Sequence, residues 1–392
     1  TLSFATGKEV FDWVIPPVWD VKTAYIKHES GQKFCEFSKN NLHLVGYSES
    51  VDTIIDKDEL VKHLYTREDM PDAIPYITSY YNKKWGFCIS YNQLLELPKG
   101  KYHCFIDSSF TSGSLDIIEA VLPGDTSEEV FFSSYLCHPS MANNELSGPV
   151  LLSEIMKYLK RMENRKYTYR FVLLPETIGS IAYLSKRVKD LKQNVVAGFN
   201  LSCVGDERRY THLLSRKGNC LADQALSAAL LGKENVIIKS FAFRGSDERQ
   251  YNSPGIDLPL CGFSRSKFGD YPEYHTSLDN FDVVTENGLN QSFDVMKDIV
   301  DAFECGLFPR AKVLCEPHLG KRGLYPTLSK CEASSTDDRS VDNLSIRMDV
   351  LSYSDGETCI FELAKASGCT LRKVINEVRL LFEHNLLETH TL

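Results

Sequence analysis

From Glu129 onward the chain repeats one pattern: a short, almost wholly apolar run, a polar residue at its end, a turn, then an amphipathic stretch. Phe131-Phe-Ser-Ser-Tyr-Leu-Cys-His138 leads into a helical pattern from Ser147-Gly148 to Leu159. Tyr169-Arg-Phe-Val-Leu-Leu-Pro-Glu176 leads into a second, and Val195-Val-Ala-Gly-Phe-Asn-Leu-Ser-Cys-Val204 runs into Gly205-Asp206-Glu207. Strands covered on both faces lose polar alternation, and strands alternating with helices build a parallel sheet between helical layers. The expected fold class is therefore α/β, a mostly parallel sheet flanked by helices. In such a sheet the carboxyl ends of the strands share one edge, where loops and helix N-termini converge on ligands.

Two candidate residues reach that edge directly. His138 closes the first run and Glu176 the second, where a buried carboxylate beside a cation has the environment of a general base. The plainer alternatives are a packed strand-end histidine and an acidic residue facing a helix macrodipole. Downstream, Tyr271-Pro-Glu-Tyr274-His275-Thr-Ser-Leu-Asp279 offers a metal-ligating imidazole, a phenol for a developing oxyanion, and Asp279 as an acceptor for the imidazole N–H. Asp247, Glu248 and Arg249 precede another apolar run and are candidate substrate-binding residues, with solvated loop positions as the alternative.

His138, Asn144 three residues before Ser147-Gly148, Glu176 of Pro-Glu-Thr-Ile-Gly-Ser, and Tyr274-His275 resemble, in order and spacing, the motifs of the zinc aminopeptidases. That group includes glutamate carboxypeptidases and the non-catalytic transferrin receptor. The chain is most similar to a bacterial aminopeptidase-like subgroup with a C-terminal winged helix, often linked to polysaccharide biosynthesis. The resemblance covers nearly the whole chain and implies residues missing upstream of Thr1. It implies that His138 and His275 bind metal, that the position of Asn144 bridges two zincs as Asp, and that Glu176 is the general base.

Three positions depart from that pattern. Asn144 replaces the bridging Asp, Thr177 replaces the second Glu of a Glu-Glu pair, and Ser202 stands where a third-strand Asp is expected. An amide oxygen is a poorer zinc ligand than a carboxylate, so the expectation is a single zinc held by His138, Asn144 and His275, with Asp206 as a substitute ligand. Glu176 would then deprotonate water and Tyr274 steady the oxyanion, cleaving an amide in a small peptide or related substrate. The competing expectation is a peptidase-fold binding or scaffold protein that has lost turnover.

Composition narrows the partners. The 392 residues carry a net charge of −9, which supplies no basic field for nucleic acid or anionic lipid. Twelve cysteines are scattered without framework spacing, and Cys137, Cys203 and Cys261 fall in apolar runs, the pattern of reduced buried thiols. No apolar run approaches the ~18 residues of a membrane span and no leader pattern opens the chain, so a cytoplasmic location is expected. A homo-oligomer is left open.

The α/β pattern covers residues 1–35 and 123–312. Between them, residues 36–122 hold short aromatic-rich runs and turn signals and read as an inserted β-rich module. Its His43, His63 and His103 are expected to be structural. Residues 313–392 form a third unit: Ile360–Ser367 ended by Gly368, then a helix capped by Thr370, as in a winged helix. Arg372, Lys373 and Arg379 are diluted by Glu377 and Glu383, which favours a packing role over DNA binding. Ala333–Ser340 is expected to be a mobile loop.

Overall fold

The computed structural model describes residues 1–325 and 342–389, so the Ala333–Ser340 stretch lies outside the described residues. An eight-stranded sheet runs in the order Leu2–Ala5, Ser114–Leu122, Thr168–Leu174, Glu129–Tyr135, Val195–Leu201, Leu260–Ser264, Tyr210–Leu213, Val236–Lys239. The four central strands pair in parallel and the junctions outside them include antiparallel ones, so the parallel part lies where burial is deepest. Every residue of Glu129–Tyr135 is buried, which is why its sequence shows no alternation. Phe132 stacks on Phe171 and Phe199 at 5.3 and 5.5 Å across the strands. The strand begins on Glu129, whose carboxylate is held by Arg170 at 2.6 Å.

Helices cover both faces. Ser147–Lys160, Leu221–Ala229 and Glu286–Gly306 bury Ile155, Leu226, Val295 and Phe303 with Phe132; Ile178–Asn194 buries Ile181 and Tyr183 with Phe131 on the other. Gly148 is required at its helix start, because a Cβ there would sit 2.3 Å from Ser134 Oγ and 2.6 Å from Leu201 O.

The smaller module is an antiparallel sheet of Lys33–Phe34, Val18–His28, Lys101–Thr111 and Val51–Asp56 over its own core of Ile26, Leu44, Phe87 and Tyr102. The small sheet thus takes in Val18–His28, ahead of residue 36, whereas Ser114–Leu122, expected within the insert, pairs in the large sheet. His43 bonds Cys88 O, His63 stacks on Trp85 at 3.7 Å, and His103 meets Asp52 at 2.6 Å. The module is fastened to the large domain near His275. Tyr76 N donates to His275 O at 2.8 Å, and Ile74 and Ser277 exchange two more bonds.

The C-terminal unit comprises Asn343–Tyr353, Ile360–Ser367, Leu371–Glu383 and the antiparallel strands Pro309–Ala311 and Leu387–Thr389, so it starts just ahead of residue 313. Gly368 adopts φ 64°, the left-handed cap its sequence position called for. Two cations of the last helix pair with the helix Glu286–Gly306: Arg372 with Asp298 and Asp301, and the partly exposed Arg379 with Asp301 at 3.3 Å. Phe361 packs on Phe303 at 5.5 Å, so this unit and the helix Glu286–Gly306 share one core.

Candidate active site

The carboxyl ends of the central strands bring together residues far apart in sequence. The His138 and His275 rings lie 5.2 Å apart, centroid to centroid, and His138 Nε2 is 3.7 Å from Glu176 Oε2. His275 has φ 56°, a left-handed backbone unusual for a bulky residue, and its Nε2 is buried without a hydrogen-bond partner. Burial, then the neighbouring His138, lowers its pKa to about 3, so the imidazole is neutral and its ring can offer a lone pair.

Aromatic rings wall the pair. Tyr274 stacks on His275 at 3.9 Å, Tyr76 meets both imidazoles edge-on at 5.3 and 5.0 Å, and Tyr135 meets His138 at 5.5 Å. Tyr274 therefore lies flat against the imidazole. Tyr76 was not legible in the sequence as a site residue, because it arrives from the inserted module.

A π-helical turn, Ala142–Leu146, follows the His138 loop and buries Asn143, Asn144 and Glu145. Glu145 accepts the backbone N–H groups of Cys137 and His138, the latter at 2.8 Å, and lies 3.2 Å from His138 Nδ1. It orients the imidazole so that Nε2 faces Glu176. Asn144 is nearly inaccessible, and its Oδ1 accepts the Tyr135 hydroxyl at 2.9 Å.

Asp279 does not serve the imidazole as expected. Its oxygens accept the N–H groups of Asn143 and Asn144 at 2.6 and 2.9 Å and the Tyr271 hydroxyl at 2.8 Å, so this carboxylate fixes the turn. Asp206 is likewise used in structure: it accepts from Ser266 N and Oγ, Arg208 N and Asn143 Nδ2.

Glu176 sits against a second carboxylate group. Burial raises the Glu176 pKa despite His138, while burial and then the Glu176 charge push Asp247 up to about 8. Asp247 Oδ1 accepts Thr177 N at 2.8 Å and Ser180 Oγ at 2.7 Å; its Oδ2 is buried and unpartnered. Glu248 is bonded by Gly245 N, Ser246 N and Asn200 Nδ2, and Arg249 donates to Thr177 Oγ1 at 2.5 Å. These bonds hold Thr177 at φ 65°, ψ −74°, a strained turn directly after Glu176.

Among the described residues, two groups bring metal-ligating atoms within 4.8 Å: Cys137, His138 and Glu145, and the buried set His212, Asp223 and Cys261. In the second, Asp223 is occupied by Ser215 and by the N–H of Cys220. Cys137 is exposed rather than buried, and its sulfur accepts Glu176 N at 3.3 Å.

Residues 2–306 match the model of a domain of unknown function, DUF4910, and residues 308–389 that of a winged helix-turn-helix. The chain belongs to the DUF4910 family. A Clostridium acetobutylicum protein named for polysaccharide biosynthesis and an aminopeptidase-like domain is 36% identical over 386 residues, 98% of this chain and 87% of its own. A crystal structure of a protein from the same organism, assigned by its name to the peptidases, superposes with TM-score 0.88 at 34% identity over 99% of this chain and 87% of that one. The zinc aminopeptidase of Bacillus subtilis superposes with TM-score 0.53 at 14% identity, over 76% of this chain and 82% of that one. The DUF4910 chain thus carries an aminopeptidase-like α/β fold with a C-terminal winged helix.

Proposed function

We propose that the protein is a zinc-dependent hydrolase of the aminopeptidase type, holding one ion between His138 and His275 and cleaving an amide bond. The observation that carries this reading is the buried, unpartnered Nε2 of His275 beside His138, since an orphaned neutral imidazole nitrogen fits a metal. Zinc held there would polarise an amide carbonyl and acidify water.

The chain's own groups supply the rest. Glu176, with its pKa raised by burial, takes a proton from the attacking water and returns it to the leaving nitrogen. Glu145 fixes the His138 tautomer, and Tyr274 and Tyr76 keep the imidazoles dry. Asp247, fully buried with its pKa raised, braces the turn at Thr177 that presents Glu176. Asn144 Oδ1 spends one lone pair on the Tyr135 hydroxyl and keeps one for a metal. No helix among the described residues is long and apolar enough to cross a membrane, and the described cysteines are unpaired, which suits a reducing compartment such as the cytoplasm.

The Asn144 amide, a poorer zinc ligand than a carboxylate, favours a second reading, a binding protein on the peptidase fold without turnover. Purification without added metal, followed by zinc analysis and a screen of aminoacyl amides, separates them. Zinc near one equivalent, with turnover lost in Glu176→Gln but zinc kept, supports the hydrolase; zinc-free protein without turnover on zinc addition supports the binder.

A further inference from the structure

Aromatic side chains of the inserted module gather beside the His138–His275 pair. Tyr76 meets both imidazoles, and four and five residues along the same loop Tyr80 is 73% exposed and Tyr81 46% exposed. Tyr81 meets Tyr47 edge-on at 5.1 Å; Tyr47 in turn stacks on Trp19 at 5.6 Å and lies 6.3 Å from Phe110, which is also exposed. The four- and five-residue spans from Tyr76 are at most about 14 and 18 Å between Cα atoms, so Tyr80 and Tyr81 stand within a short oligosaccharide's length of Tyr76.

These rings are held in place at a backbone cost. Tyr47, Tyr80 and Tyr81 have φ of 63°, 46° and 72°, a region that bulky residues avoid unless their surroundings impose it. The surroundings are visible: Gly46 pairs with Thr78, Ser79 N donates to Gly46 O, and Pro75 pairs with Thr276 beside His275. Solvent-exposed tyrosines gain nothing for the core by this arrangement. They present flat apolar faces edged by hydroxyls.

We propose that this aromatic surface binds an oligosaccharide carrying N-acyl amino sugars, and that it delivers the sugar-borne amide to the His138–His275 pair. The inference rests on the reading of that pair as the reaction centre. The apolar C–H faces of pyranose rings stack on phenol and indole faces while their hydroxyls stay wet, which an exposed tyrosine pair accommodates and a dry peptide pocket would not. A sugar ring with an N-acyl substituent joins that requirement to the amide chemistry of the site.

Calorimetric titration of the full chain in chelator-treated buffer tests the surface apart from any metal. Triacetylchitotriose is expected to bind, trialanine is not, and Tyr80→Ala or Tyr81→Ala should each weaken triacetylchitotriose by about fivefold or more. Tyr81→Phe, which keeps the ring, should stay within about twofold of wild type and so separates a lost stacking face from a misfolded loop. Trialanine binding in place of the sugar, or sugar binding indifferent to both alanine substitutions, would overturn the proposal. Zinc is then added back. Tightening of triacetylchitotriose but not of cellotriose, which has no amide, supports delivery to the pair; equal effects overturn that delivery while leaving the sugar surface standing.

Discussion

Glu145 grips His138 twice, accepting its backbone N–H at 2.8 Å and facing its Nδ1 at 3.2 Å. The carboxylate selects the tautomer that leaves Nε2 free, so it acts on any metal through the imidazole. Glu145→Gln keeps the size but can present its amide group to a ring nitrogen that should be a donor. Zinc affinity is expected to fall about 10- to 100-fold, read by competition with a chelating dye. Unchanged affinity would show that His138 is oriented by its other neighbours.

Asn144→Asp places a carboxylate in a site 1% exposed, next to Asp279, which already receives the Asn144 N–H. In metal-free protein the change should cost roughly 1–3 kcal/mol, seen as a lower melting temperature. Zinc should raise that temperature more for the variant than for wild type, because a carboxylate is the better ligand. Equal zinc responses would mean that this position does not face the metal.

Asp247 has its folded pKa at about 8, far above that of an unfolded Asp. Between pH 4 and 8 the folded state of the metal-free protein holds a proton that the unfolded state has lost, so this group's stabilising contribution is full at low pH and declines as pH rises. Asn at this position still accepts from Thr177 and Ser180 through its oxygen. Asp247→Asn should therefore match wild type near pH 4 and melt a few degrees higher at pH 8. Thermal scans at the two pH values check this; a pH-independent difference would refute it.

Asp301 is 3% exposed at its side chain and meets Arg372 at 2.6 Å, Arg379 at 3.3 Å and the Tyr158 hydroxyl at 2.6 Å. Asp301→Ala leaves Arg372 with Asp298 as its acidic partner, releases the half-exposed Arg379 to solvent, and removes the acceptor of the Tyr158 hydroxyl. Loss of about 1–2 kcal/mol is expected in urea unfolding, mainly from the Tyr158 and Arg372 bonds. A loss below about 1 kcal/mol would mean that the apolar contacts around Phe303 and Phe361 hold the unit unaided.

The parallel core, the last two helices and the meeting of His138, Glu176 and His275 were legible because strand ends and caps are local signals. The partners of those residues were not. Glu145 acts only because a π-helical turn bends it back, and Tyr76 arrives through pairing across some two hundred residues of sequence. Asp279 looked like a partner for the imidazole by spacing, yet two backbone N–H groups at a tight turn compete for it and win. Val18–His28 joined the small sheet because its pairing partner, Lys101–Thr111, lies beyond the reach of any local pattern.

Crystals soaked in zinc and measured at the zinc absorption edge test the central claim most directly. A single anomalous peak within ligand distance of both His138 and His275, lost in His275→Ala, is expected. A peak at Cys137 and Glu145 or at His212, Asp223 and Cys261 instead, or no peak at any of these, would contradict it.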